Sequence, residues 1–115
     1  MHEISLVQNL LQQLRDIARE NKATRVLRVT MLIGPLSGVV IDSFTFGFDI
    51  LAREDDLFRD ATLDIIVPPA PFRCSSCGHQ EETDGERPAC CAACGDPIII
   101  ADGGDDLILQ QVEME

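Results

Sequence analysis

Two matching cysteine motifs of the form C-x-x-C-G constrain this chain most strongly: Cys74-Ser-Ser-Cys77-Gly78 and Cys91-Ala-Ala-Cys94-Gly95. Two such pairs supply four thiolates, which is the ligand set that a tetrahedral structural zinc ion prefers. Two intervening residues let both sulfurs of a motif point at one ion, and the glycine permits a tight backbone turn beside it. The spacing therefore predicts a zinc site with the ligands Cys74, Cys77, Cys91 and Cys94.

Two further donors lie close to these motifs in the sequence. Cys90 adjoins Cys91 but lacks the two-residue spacing to Cys94, so we expect it to be a spare thiol. His79 lies one residue beyond the first motif, and we expect an exposed polar side chain there. If His79 entered the coordination sphere, the site would become pH-sensitive, because imidazole protonates within the physiological range.

Composition limits the architecture and the classes of partner. A chain of 115 residues can hold one modest core together with a small metal-stapled module. The formal net charge is −11, from 20 acidic and 9 basic residues, which argues against a nucleic-acid partner. The polar start is unlike a secretory signal, and no run approaches the ~20 apolar residues that cross a membrane. We expect a cytoplasmic protein in which cysteines bind metal rather than form disulfides.

Apolar periodicity predicts an α+β fold. Apolar residues three or four apart predict a helix from Ile4 to about Glu20 and another from about Asp42 to Glu54, with Asp42 or Ser43 as its N-cap. Alternation of apolar and polar residues predicts strands over residues 27–33 and 63–67. The order helix, strand, helix, strand indicates an α/β or α+β pattern built around a small sheet, and we expect the α+β form, with two helices on a small mixed sheet.

Two breaks in the sequence predict the domain boundaries. Pro68-Pro69-Ala70-Pro71 is typical of a stiff extended spacer, and Asp102-Gly103-Gly104-Asp105 marks a second break. The tail from Leu107 reads most simply as a strand that returns to the first domain. We therefore expect one domain at residues 1–69, completed by a strand at 106–115, with a zinc-ribbon-like four-cysteine domain inserted at 70–105.

The N-terminus, Met1-His2-Glu3, offers a second set of metal donors. The amino group of Met1, the main-chain nitrogens of His2 and Glu3, and the His2 imidazole can lie in one plane around an ion. Planar nitrogen donors select Ni(II) or Cu(II) over zinc, magnesium or calcium. The motif is weak alone, but it directly precedes a predicted helix that would hold the donors on a folded surface.

Taken together, these motifs are specific enough to indicate a protein family. The run Met1–Leu6 that opens a helix, the run Ile33–Val39, the two C-x-x-C-G motifs and the closing Val112–Glu115 resemble the HypA/HybF family of hydrogenase nickel-incorporation proteins. The resemblance extends in order from the first residue to the last.

The resemblance implies a nickel metallochaperone for maturation of nickel–iron hydrogenase. Its implied partners are the GTPase HypB and the hydrogenase large-subunit precursor. The nickel ligand of the family maps onto His2, with the neighbouring main chain of Met1 and with Glu3 contributing, and its zinc ligands map onto the four cysteines. The implied fold is a nickel-binding domain of two helices and a small sheet, into which a zinc domain is inserted.

The chain departs from the family pattern at two positions. Many members carry an acid, proposed to assist nickel, where this chain has Val40, and Asp42 is the nearest carboxylate. Pro35 replaces the usual acid between the glycine and the leucine of the preceding loop. The sequence leaves open the oligomeric state, including a homodimer formed by exchange of a helix.

Three other functions compete with this one. An acidic zinc-ribbon adaptor would bind a protein partner and carry no transferable metal, a rubredoxin-like protein would hold iron in the same four thiolates, and a thiol oxidoreductase fits least. An enzyme finds no support, because the chain lacks a glycine-rich phosphate loop, a G-x-S-x-G motif and an H-E-x-x-H motif, and it has no histidines besides His2 and His79.

Overall fold

The computed structural model describes residues 2–115, except for the side chain of His2. It confirms an α+β fold with two helices and six strands in the described chain. In chain order the elements are α1 (His2–Glu20), β1 (Val26–Ile33), α2 (Ile41–Arg53), β2 (Thr62–Ile66), β3 (Ala70–Cys74), β4 (Gln80–Thr83), β5 (Ile99–Ala101) and β6 (Leu107–Met114). No described helix is both long enough and apolar enough to span a bilayer.

The chain divides into two compact units. The first unit consists of three segments: the residues up to Met31, Val39–Ile65 and Leu109–Glu115. The second unit consists of Leu32–Gly38 and Ile66–Ile108. The domain boundaries drawn from the sequence stay a prediction about folding units, which these contacts alone do not test.

The apolar stripe of α1 and the buried face of α2 form the core of the first unit. On α1 the predicted stripe is buried at Val7, Leu11, Leu14 and Ala18. Helix α2 packs close to α1 at Gly47, where a Cβ atom would lie 2.9 Å from Cδ1 of Ile4. The helical spacing of apolar residues therefore identified the core faces correctly, and α2 contributes Phe44, Phe48 and Ala52.

The start of α2 differs from the prediction. The helix begins at Ile41 with Val40 as its N-cap, so neither Asp42 nor Ser43 caps it, and Val40 makes no side-chain cap bond. The main-chain N–H of Val40 instead donates to Oε2 of Glu3 at 3.3 Å. The prediction was wrong because the stabilising carboxylate comes from α1, far from α2 in the sequence.

The sheet of the first unit includes the C-terminal strand. Its strand order is β2-β1-β6, so the C-terminal strand lies beside β1. Arg28 on β1 contacts Asp64 on β2 at 2.6 Å and Glu113 on β6 at 3.3 Å. These exposed ion pairs contribute little stability individually, but they link all three strands.

The second unit contains a small antiparallel sheet in the order β4-β3-β5. Phe72 pairs with Glu81 on one side and with Ala101 on the other. Pro71, which the sequence placed in a spacer, lies within β3, and its carbonyl accepts the N–H of Asp102 at 2.9 Å. Proline is tolerated there because pairing with β5 begins only at Phe72. The core of this unit is small and consists of Ala70, Phe72, Cys74, Cys91 and Ile99, with Leu36 packed against it.

A close backbone approach joins the segment after β1 to the segment before β6. Gly34 donates its N–H to Asp106 O and Leu36 donates to Gly104 O, both at 2.7 Å. A Cβ atom on Gly34 would lie 2.1 Å from the carbonyl oxygen of Gly104. Glycine is therefore required at position 34 by this contact, since no side chain fits between the two backbones.

We predict that Gly34→Ala lowers the free energy of unfolding of the second unit by about 1–3 kcal/mol, because the added methyl group forces two backbones apart. Gly47→Ala is the matched control, since its new methyl group meets side-chain atoms rather than backbone, Cδ1 of Ile4 at 2.9 Å and Cγ2 of Val7 at 3.5 Å, and it gains helix propensity of up to about 1 kcal/mol. Urea denaturation combined with amide hydrogen exchange measures both effects. Equal stability of the two variants would contradict the prediction.

Candidate metal centre

The two cysteine motifs fold into the same turn. In the first, Cys74 N–H donates to His79 O at 2.8 Å and Gly78 N–H donates to Cys74 O at 3.1 Å. The second repeats this pattern, from Cys91 to Asp96 O at 2.8 Å and from Gly95 to Cys91 O at 2.9 Å. Both glycines have φ of 78°, the left-handed conformation that other residues adopt at a cost. The glycine of each motif is therefore needed for the turn, as predicted.

These turns bring the four predicted ligands together. The sulfur atoms of Cys74, Cys77, Cys91 and Cys94 all lie within 4.8 Å of one another. The pairs Cys74–Cys94 and Cys77–Cys91 each have their sulfurs 3.6 Å apart. Tetrahedral zinc–sulfur bonds of ~2.3 Å place sulfurs roughly 3.8 Å apart, so the spacing fits a tetrathiolate site.

Hydrogen bonds and mutual crowding set the protonation of these thiols. The N–H groups of Cys94 and Ala93 donate to Cys91 Sγ at 3.4 and 3.3 Å, and they lower the pKa of Cys91 to about 6. The N–H of Asp96 acts to lower the pKa of Cys94, but the neighbouring thiols, Cys74 first, raise it to about 12. Four thiols this close cannot all ionise without a cation between them. The donor set therefore fits a divalent metal ion.

Asp96 connects the two motifs through its carboxylate. Ser76 Oγ donates to Oδ2 of Asp96, and the Ile98 N–H donates to Oδ1 at 2.8 Å. The Ser76 bond, followed by that of Ile98, lowers the pKa of Asp96. The spacing of the cysteines does not point to Asp96; the available signal was an aspartate directly after the second C-x-x-C-G motif.

Cys90 and His79 lie outside the group of close sulfurs. Cys90 is exposed, whereas its neighbour Cys91 is buried, so the structure separates the two adjacent cysteines as predicted. His79 is half-buried, and its main-chain carbonyl accepts the N–H of Cys74. Its imidazole is not part of the four-cysteine group found among residues 2–115.

The structure describes the predicted nickel residues only in part. Met1 and the side chain of His2 lie outside the described residues, whereas the backbone of His2 begins α1. Glu3 is buried, with 8% of its surface exposed. Val40, whose N–H binds the Glu3 carboxylate, has an exposed side chain, and Asp42 is exposed in the first turn of α2.

Comparison with known proteins agrees with this geometry. The family model described as "Hydrogenase/urease nickel incorporation, metallochaperone, hypA" matches residues 1–114. The chain belongs to the HypA family. Members of this family are metallochaperones for nickel incorporation into hydrogenase or urease, and that family role favours the metallochaperone over the adaptor and the rubredoxin-like protein.

Relatives and solved structures cover nearly the whole chain. A hydrogenase maturation factor HypA from Alkalilimnicola ehrlichii is 36% identical over 115 residues and covers 100% of both chains. One from Dehalococcoides mccartyi is 33% identical over 100% of this chain and 95% of its own. The solution structure of the Ni metallochaperone HypA from Helicobacter pylori has a TM-score of 0.66 at 27% identity, covering 97% of this chain and 96% of that one. A further HypA solution structure has a TM-score of 0.71 at 28% identity, covering 100% and 97%.

We predict that Cys91→Ser abolishes tight metal binding whereas Cys90→Ser retains it. The first change removes one sulfur of the close group, and the second alters an exposed thiol beside it. Loss of a ligand should exceed the 10–100-fold effect typical of losing a ligand's hydrogen-bond partner, so we expect more than ~100-fold. Metal analysis and competition with a chromogenic chelator measure this. Equal metal retention by both variants would refute the ligand set.

Proposed function

We propose that this chain binds Ni(II) at its N-terminus and helps insert it into the large-subunit precursor of a nickel–iron hydrogenase, while a zinc ion in the four-cysteine site is structural. The family match over residues 1–114 is the observation that carries this proposal. Nickel is then the cargo, and the protein makes or breaks no covalent bond of a substrate.

The start of α1 supports the N-terminal nickel site. The first four N–H groups of a helix have no acceptor within the helix. Because α1 begins at His2, helical hydrogen bonding does not occupy the main-chain nitrogens of His2 and Glu3. Together with the Met1 amine and the His2 imidazole they offer four nitrogens, a set that favours Ni(II) in planar geometry. A site with so few protein donors can release its ion by ligand exchange.

The four-cysteine site supports a different role for zinc. Four protein thiolates leave no open coordination position, which is typical of structural rather than catalytic zinc. Two of the ligands, Cys74 and Cys91, belong to the core of the second unit. We assign zinc a structural role there, within the inserted domain predicted at 70–105, and nickel to the domain predicted at 1–69 and 106–115.

The proposed partners follow from the family role. A GTPase of the HypB type would deliver or accept nickel, and the hydrogenase large-subunit precursor would receive it. The net charge of −11 suits protein partners better than nucleic acid. A cytoplasmic location fits this function, because a tetrathiolate site requires cysteines that stay reduced.

We predict that His2→Ala weakens nickel binding by at least ~10-fold, equivalent to about 1.4 kcal/mol, because the chelate loses its imidazole. Two added residues before Met1 should have a similar effect, since they move the terminal amine away from His2. His79→Ala is the matched control and should bind nickel like the unmodified chain. Calorimetric titration of untagged, zinc-loaded protein measures the nickel affinity of all four proteins, which are the unmodified chain, the two substituted variants and the extended chain.

The same titration separates the metallochaperone from the zinc-ribbon adaptor. An adaptor would show no nickel binding that depends on His2 or on the free amine. Unchanged affinity in both the His2→Ala and the extended chain would therefore reject the N-terminal site and favour the adaptor.

A further inference from the structure

A buried carboxylate lies next to the proposed nickel donors. Glu3 is 8% exposed although it is only the second residue of α1. Burial of a carboxylate is unfavourable unless it is hydrogen-bonded. The burial of Glu3 therefore requires a partner inside the first unit, and its Oε2 has one in the N–H of Val40 at 3.3 Å.

The position of that partner explains why a carboxylate is stable there. Val40 is the N-cap of α2 and has an extended backbone, with φ −81° and ψ 104°. No side chain of its own segment caps the helix, so the carboxylate from α1 takes this place. The positive end of the α2 dipole stabilises a negative charge at this point. Glu3 thus binds the first turn of α1 to the start of α2.

We propose that Glu3 is a positioning residue for nickel: its carboxylate tethers the N-terminus to α2, and it supplies only its main-chain nitrogen to the ion. The inference rests on the proposed N-terminal nickel site. Because Oε2 accepts the Val40 N–H and only 8% of Glu3 is exposed, we expect the carboxylate to serve the tether rather than to bind the ion. The nickel ligands would then all be nitrogens, which is the set that selects Ni(II) over harder, oxygen-seeking ions.

The tether also accounts for how a chain terminus could bind metal well. A free terminus loses conformational entropy when it closes around an ion. The bond from Glu3 to Val40 fixes the residue that carries one of the nitrogens before nickel arrives. Binding then loses less entropy, which is the general benefit of preorganisation.

Nickel titrations of single variants test the tether. Glu3→Gln keeps an oxygen that can accept the Val40 N–H, so we expect affinity within about threefold of the unmodified chain and the same visible absorption spectrum of bound nickel. Glu3→Ala removes the acceptor, and we expect affinity to fall at least ~10-fold with the spectrum unchanged. His2→Ala is included as the variant that removes a proposed ligand.

A control separates this effect from general loss of stability. Asp55 also lies in the first unit, and its carboxylate accepts the N–H of Leu57 at 3.0 Å and pairs with Arg15. Asp55→Ala therefore removes a hydrogen-bonded carboxylate whose partners, Leu57 and Arg15, lie outside the first turn of α1, and we expect unchanged nickel affinity. If Asp55→Ala weakens nickel as much as Glu3→Ala does, the tether is refuted.

The hydrogen-bond donor, the main-chain N–H of Val40, provides a second test in case Glu3→Ala does not fold. Val40→Pro deletes the N–H while keeping Glu3, and φ of −81° at Val40 lies close to the value that proline requires. We expect Val40→Pro to weaken nickel binding as much as Glu3→Ala does. The double variant should bind nickel no more weakly than either single variant. Additive losses in the double variant would overturn the proposal.

Failure of the tether can be distinguished from failure of the nickel site. If Glu3→Gln loses as much affinity as Glu3→Ala and shifts the absorption band, the carboxylate is a ligand and the tether is wrong. If Glu3→Ala binds like the unmodified chain, the tether is also wrong. If instead His2→Ala binds nickel normally, the N-terminal site itself is wrong.

Discussion

Four sulfur atoms within 4.8 Å of one another are the constraint on which the second unit depends. Its buried core contains five residues, and two of them, Cys74 and Cys91, belong to the sulfur cluster. So few apolar side chains cannot hold three short strands together against chain entropy. Because four thiolates this close would repel one another, a cation bound between them would in effect be part of the core.

The parts of the fold that could be predicted from the sequence are those with local causes. Each C-x-x-C-G turn is closed by hydrogen bonds between residues four or five apart, and each helix shows its buried face in the spacing of apolar residues. The predicted helices were therefore correct, and the four predicted ligands lie together, as their spacing indicated. Strands β3, β4 and β5 were missed, because they are short and because Pro71, which lies within β3, belongs to a run that is typical of a spacer.

The remaining misses have distant causes. Gly34 is needed because Gly104 approaches it, and nothing near position 34 indicates that neighbour. The N-cap of α2 was misplaced for the same reason: its carboxylate comes from Glu3, on the other helix. A sequence pattern therefore predicts structure that depends on neighbouring residues. A contact between distant segments is visible in the sequence only as a glycine or an acidic residue with no local explanation.

The two units use the same kind of hydrogen bond for different purposes. Main-chain N–H groups hold an anionic side chain in a fixed place, at the Cys91 sulfur in the second unit and at the Glu3 carboxylate in the first. If Cys91 is a metal ligand as proposed, these bonds would strengthen a site that should not exchange. At Glu3 the carboxylate accepts the N–H of Val40, and in our proposal the nickel is bound by nitrogens. Under the proposed function, a permanent and a transferable metal site would coexist in 115 residues because thiolates would bind one ion and backbone nitrogens would bind the other.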